Sequence, residues 1–130
     1  MEKPNLCQEF AKILDGSILS QNPCTVLRLR NIKAEILGRP SRSSLTRGAL
    51  FSFESPDAQG RTLNLGETVI LQQEINPFIS ALRKHDILVT ALHNHWLFDE
   101  PRLFYIHFAS IDEPLSFARK VAQAFSVLKD

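Results

Sequence analysis

Three of the four histidines lie close together in the last third of the chain: His93, His95 and His107. Neutral imidazole is the commonest biological metal ligand. In Ala91-Leu92-His93-Asn94-His95 the two histidines have the spacing that turns both side chains to one face of a strand, about 7 Å apart. Suppose the segments around Leu92 and Phe108 pair as an antiparallel hairpin with His93 opposite His107. His95 then stands opposite Tyr105, and three imidazoles share one face. A slip of one residue sends His107 to the other face, so everything depends on register. Two histidines from one strand and a third from its neighbour make a tri-histidine site with an open position for water. An oxygen donor often completes such a site, and Glu74 is the candidate. It lies in Gln72-Gln73-Glu74-Ile75, at an expected strand end just before a helix, as fourth ligand or as general base. Zinc is the default divalent transition metal, with iron, manganese, nickel and copper also open. The expected chemistry is metal-assisted hydrolysis or hydration of a small molecule, with Tyr105, Arg102 and Asn94 as substrate contacts. His85 ends a helix between Lys84 and Asp86, where its expected role is a positive charge at the helix C-terminus.

The same polar cluster supports a second function class. Protonated histidines and Arg102 would hold a small anion in a non-catalytic binding or sensor module. A third rests on Trp96-Leu97-Phe98, which follow His95 directly and would serve as a lid, a partner-binding patch or packing. Between Arg28 and Arg47 six basic residues face one acid, Glu35, so this segment carries +5 and the remainder −4. Its expected state is a solvated sheet face. No aromatic residue interleaves the cations to stack on bases, so nucleic acid is not an expected partner.

The elements that must position these residues follow from periodicity and capping. Asn5, with Gln8 three residues on, caps a helix to Leu14 whose stripe is Leu6, Phe10, Ile13 and Leu14. Thr25 to Ile32 alternates as a strand, with Leu27 and Leu29 opposite Arg28 and Arg30. Residues 33–37 extend it or begin another strand, and Gly38 to Ser44 reads as loop. Ala49 to Glu54, Arg61 to Leu65 and Thr68 to Gln72 read as three strands. A helix over Pro77–Lys84 starts from Asn76 as N-cap with Pro77 first. Asp86–His95 and Leu103–Ser110 form the histidine-bearing pair. Ile87, Val89 and Ala91 are expected beneath the histidines as the dry floor of a cleft, and Leu88 and Leu92 on the core side. A helix over Glu113–Leu128, capped by Asp112, closes the chain. Short links favour antiparallel pairing. The expected fold is α+β: an antiparallel sheet with about three helices packed against it, one domain over residues 1–130.

Composition bounds the rest. The chain has 130 residues, 44% hydrophobic and 22% charged, with a net charge of +1. That excludes intrinsic disorder for most of its length, and global charge names no partner. No segment approaches the ~20 apolar residues of a membrane span, and the N-terminus lacks an apolar signal segment. The expected location is cytoplasmic. Cys7 and Cys24 are expected to be reduced packing residues.

Three blocks carry a family resemblance. They are Glu74-Ile75-Asn76-Pro77-Phe78, Ala91-Leu92-His93-Asn94-His95 and Pro101-Arg102-Leu103-Phe104-Tyr105-Ile106-His107-Phe108. Over about residues 45–128 the chain resembles the LppY/LpqO family, bacterial domains of unknown function that include secreted lipoproteins. The resemblance implies that Glu74, His93, His95 and His107 are the positions to watch, and it supplies no reaction. The chain is expected to depart from the lipoprotein members in lacking a leader.

Overall fold

The first helix forms where the capping residues predict it. Asn5 accepts from the Gln8 amide and the Gln8 side chain returns the bond, which starts α1 (Leu6–Leu14). Asp15 ends it in the left-handed conformation. The computed structural model describes residues 5–129. Among them it has four helices and antiparallel sheets, an α+β architecture with helices packed on one sheet face.

The strands after α1 are β1 (Ser17–Gln21), β2 (Cys24–Leu29), β3 (Ala34–Ile36) and β4 (Arg39–Ser41). A short helix α2 (Ser44–Arg47) leads into β5 (Gly48–Glu54) and β6 (Thr62–Leu71). A 3-10 turn over Gln72–Glu74 runs into α3 (Ile75–Lys84). Then come β7 (Leu88–His93), β8 (Asp99–Glu100), β9 (Leu103–Asp112) and α4 (Pro114–Phe125). The main sheet has the order β1-β2-β5-β6-β9-β7, and a small second sheet has the order β4-β3-β8.

Several boundaries differ from the sequence reading. The two short strands expected over 61–72 are one ten-residue strand, β6, which pairs with β9 along its whole length. α3 begins two residues earlier than expected, with Glu74 rather than Asn76 at the N-cap. α4 is capped by Glu113, whose carboxylate accepts from the Leu115 and Ser116 amides, and not by Asp112. The segment read as loop contains β4, and β1 pairs with β2 where no strand was expected.

One sheet face is sealed by α1, α3 and α4. Val26, Phe51, Ile106 and Phe108 meet Phe10, Phe78, Phe117 and Phe125 there. Gly66 is required on this face, because the Phe108 ring lies where a β-carbon would go. Arg28 and Arg30 share the sealed face. The Arg28 guanidinium lies over the Phe125 ring, 4.8 Å from its centroid, and Arg30 is fully buried. For Arg28 and Arg30 the expected solvated face is therefore overturned, whereas Lys33, Arg39 and Arg42 are exposed. Leu29, on the opposite face, is the exposed residue.

The outer face is covered only at one end, where Trp96 and Leu71 pack on a small core of Ile32, Ala34, Val69, Leu103 and Tyr105. The rest is open.

Cys7 and Cys24 are joined by a disulfide, with Cα atoms 5.6 Å apart, which corrects the expectation of two free thiols. Both are buried where α1 lies over β2, so the packing argument was right about burial and wrong about chemistry. The bond ties the N-terminal helix to the sheet. No helix among the described residues is long and apolar enough to cross a membrane. Replacing both cysteines by serine is expected to lower the unfolding free energy by about 3 kcal/mol. Urea denaturation of the two proteins measures it, and superimposable curves would show that the cross-link contributes nothing.

Candidate metal centre

β9 lies between β6 and β7, and period-two alternation gives each of its residues a neighbour on both sides. Along the outer face, Val69, Tyr105 and His93 form one row across the three strands. Glu67, His107 and Ala91 form the next, and Leu65, Ala109 and Leu88 the one after. His93 thus stands opposite Tyr105, not opposite His107 as the hairpin argument assumed. The two pairings differ by two residues. An even offset keeps every side chain on its face, so His93 and His107 still share the outer face, their ring centroids 4.8 Å apart.

A β-bulge breaks the β7 ladder between Val89 and Ala91. Thr90 is the extra residue, and the faces exchange across it. Above it Ala91 is on the histidine face. Below it Val89 lies opposite Phe108 and packs on the helix-covered core, and Ile87 is buried there. Leu88, expected in the core, is on the outer face and exposed. The dry floor expected from Ile87 and Val89 is therefore absent. Leu92 lies opposite Ile106 on the core side, but at the sheet edge, and stays exposed.

His95 lies beyond the end of β7, in the link to β8. Its ring stacks on Tyr105 at 4.0 Å and lies 4.7 Å from the His93 ring. The link is pinned at several points. The Asn94 carboxamide donates to the Leu103 carbonyl (2.8 Å) and the Trp96 indole to the Tyr105 hydroxyl (2.9 Å). The Leu103 amide donates to Asp99 (2.8 Å), and the Leu37 amide to the Phe98 carbonyl (3.0 Å).

The three histidines can each offer one ring nitrogen such that all three lie within 4.8 Å of one another. Nitrogens bound to one zinc-like ion at ~2.0–2.1 Å lie about 3.3–4.2 Å apart, so small ring rotations would suffice. Two further details fit a metal. His107 Nε2 is buried and has no hydrogen-bond partner among the described residues, a state that a water, an ion or a ligand would satisfy. The His93 Nδ1 lies 3.3 Å from the Asn94 carbonyl. A carbonyl only accepts, so that bond puts the proton on Nδ1 and leaves Nε2 with its lone pair. Burial, then the neighbouring His93, holds the His95 pKa below its ordinary value, with His107 adding to this and Glu67 opposing it. The neutral, ligating form of His95 is favoured.

The other expected site residues are placed differently. Glu74 is buried away from this group, its carboxylate bidentate to Arg30 at 2.9 Å on both oxygens. The Leu71 and Lys129 amides donate to the same carboxylate. No oxygen is left for a metal or a proton transfer, and the ligand and base roles expected for Glu74 are corrected. The Tyr105 hydroxyl donates to the Thr46 carbonyl and accepts from Trp96, and burial raises its pKa. Tyr105 is thus a wall for His95 rather than a substrate contact. Arg102 is paired with Asp99 at 3.2 Å, and the Asn94 side chain serves the backbone. Trp96 is packed, leaving Leu97 and Phe98 exposed on its loop. His85 caps the C-terminus of α3.

The carboxylate that does approach is Glu67, with Oε2 3.8 Å from His107 Nε2. Sequence reasoning missed it by splitting β6 at Gly66-Glu67. Unbroken alternation of Leu63, Leu65, Glu67, Val69 and Leu71 would have placed it on the histidine face.

The family model described as Domain of Unknown Function (DUF1259) matches residues 8–127. The match therefore extends well N-terminal of the segment that carries the resemblance in sequence. No curated protein and no solved structure matches.

Burial pushes the Glu74 carboxyl up, but the hydrogen bonds from Arg30 and from the Lys129 and Leu71 amides outweigh it and hold the pKa below its ordinary 4.5. A depressed folded-state pKa stabilises above the unfolded value and is lost as pH falls through the folded one. Glu74→Gln is expected to destabilise by about 3–5 kcal/mol at pH 7, with the gap to wild type closing as pH falls below ~4. Replacing all three site histidines by alanine should cost only about 1 kcal/mol. Denaturant titrations across pH measure both, and a Glu74→Gln protein as stable as wild type would remove the structural role.

Proposed function

The chain belongs to the family described as Domain of Unknown Function (DUF1259), which supplies no reaction, and from the site's geometry we propose that it binds a divalent transition metal through His93, His95 and His107. The observation that carries this reading is the buried His107 Nε2 without a partner, in a group of three imidazoles. An all-nitrogen donor set favours zinc, with copper and nickel next. Three protein ligands would leave a position for water, and a bound ion lowers the pKa of such a water to about 7. That is the chemistry of hydrolysis or hydration of a small-molecule substrate. Glu67 takes the place first expected of Glu74, as the carboxylate beside His107. The same carboxylate weighs against the small-anion alternative, since it would repel the ligand.

Two finer readings accompany this. The LppY/LpqO resemblance, resting on the blocks around Glu74, His93 and His107, is our closer reading of the family. The Cys7–Cys24 bond favours an oxidising compartment over the cytoplasm.

Untagged protein loaded with zinc and passed through a desalting column is expected to retain one equivalent. The His93→Ala/His95→Ala/His107→Ala variant should retain none. Retention should fall as pH drops below about 6, because the ligands must lose their protons to bind; an anion site predicts the opposite trend. Equal metal content in wild type and variant would rule the site out.

A further inference from the structure

The histidine rows end at the edge strand β7 on one side and open on the other onto the rest of the outer sheet face. A trough of about 360 Å³ runs from His107 and Glu67 across the outer sheet face, past Thr90, Leu65, Ser52 and Leu50. Its size suits a small molecule and not a protein segment. Besides His107, Glu67 is the one ionisable side chain in its lining, and neither a lysine nor an arginine there offers a cation to a phosphate or carboxylate. One register step from the Glu67–His107 row, Leu65, Ala109 and Leu88 form an apolar platform over three adjacent strands. Leu65 is 40% exposed and Leu88 57%. Isolated exposed leucines need no explanation, but these two lie beside a polar cluster with a free ring nitrogen. The Thr90 bulge is what puts Leu88 on this face.

We infer that this platform is the ligand-binding subsite of the histidine centre. Its ligand is a small uncharged molecule with a short apolar chain, whose polar end reaches His107 and Glu67 while the chain lies over Leu65 and Leu88. The inference rests on the metal reading above and adds the class of ligand. Uncharged compounds carrying a hydrolysable or hydratable carbonyl at one end have this form. The platform lies one register step from the site residues, and His107, Glu67 and the platform's Leu65 line the trough together, which makes a site ligand the occupant that fits rather than a second copy of the chain.

The test uses zinc-loaded protein and a series of straight-chain hydroxamic acids, from acetohydroxamic to hexanohydroxamic acid. A hydroxamate chelates the metal at one end and carries its chain outward. Titration calorimetry is expected to show affinity rising by about fourfold for each methylene that is fully buried. Leu65→Asp and, separately, Leu88→Asp should flatten that dependence while leaving zinc content and acetohydroxamate affinity within about twofold. Both leucines are solvent-exposed, so the variants should fold, and circular dichroism checks this. A protein that takes up no zinc overturns both readings. A protein that takes up zinc but binds every chain length equally overturns this one alone, as does a chain-length dependence that survives both substitutions. A concentration-dependent dimer that Leu65→Asp abolishes would assign the platform to a second copy and likewise overturn it.

Discussion

The register of β9 between its two neighbours governs the site, and the core sets that register. Phe104, Ile106 and Phe108 alternate with Tyr105, His107 and Ala109. The first set faces the helices, where Ile106 and Phe108 are almost fully buried. Burying such a side chain stabilises by about 1.5–3 kcal/mol. Slipping β9 by one residue would expose these groups and drive an imidazole and a phenol into an apolar core. Hydrophobic burial on one face therefore places His107 beside Glu67 on the other. The site need not contribute to its own positioning.

The same sheet separates two uses of charge. On the sealed face, Arg30 and Glu74 are buried together, and the Glu74 carboxylate receives the Leu71 and Lys129 amides as well as Arg30. A buried ion pair tolerates nothing less, because an unpaired partner costs several kcal/mol. The pair joins the end of β2 to the start of α3 and to the last described residue. On the outer face, Glu67 and His107 approach only to 3.8 Å, and both are partly exposed. Looser contacts there leave donor atoms free for a ligand. Residue type does not distinguish Glu74 from Glu67. The environment each strand end or strand face provides does.

Period two and capping chemistry were legible in the sequence. Asn5 with Gln8, the long final helix and the shared face of the histidines all follow from local rules. What escaped them is non-local. The Thr90 bulge changes the face of Leu88 and Val89 without any glycine or proline to mark it. Arg30 reads as a surface cation until Glu74, distant in sequence, is brought beside it. The Cys7–Cys24 bond needs α1 to lie across β2, which depends on tertiary packing and not on spacing. Glu67 was hidden by an opposite error, a strand cut in two at Gly66, although that glycine makes room for Phe108 and does not end the strand.

Preorganisation connects these points. His107 sits in mid-strand and His93 at the end of a paired strand, while His95 is held by stacking on a tyrosine whose hydroxyl is itself hydrogen-bonded twice. The link carrying His95 is fixed by hydrogen bonds of the Asn94, Trp96 and Asp99 side chains, none of which occupies a ring nitrogen of the cluster. The imidazoles are thus positioned by strand pairing, ring stacking and hydrogen bonds of neighbouring side chains. In sites that form only on metal binding, much of the binding free energy is used to order the chain. Here strand pairing, stacking and side-chain hydrogen bonds supply that ordering, so the free energy of coordination would go into affinity rather than into folding.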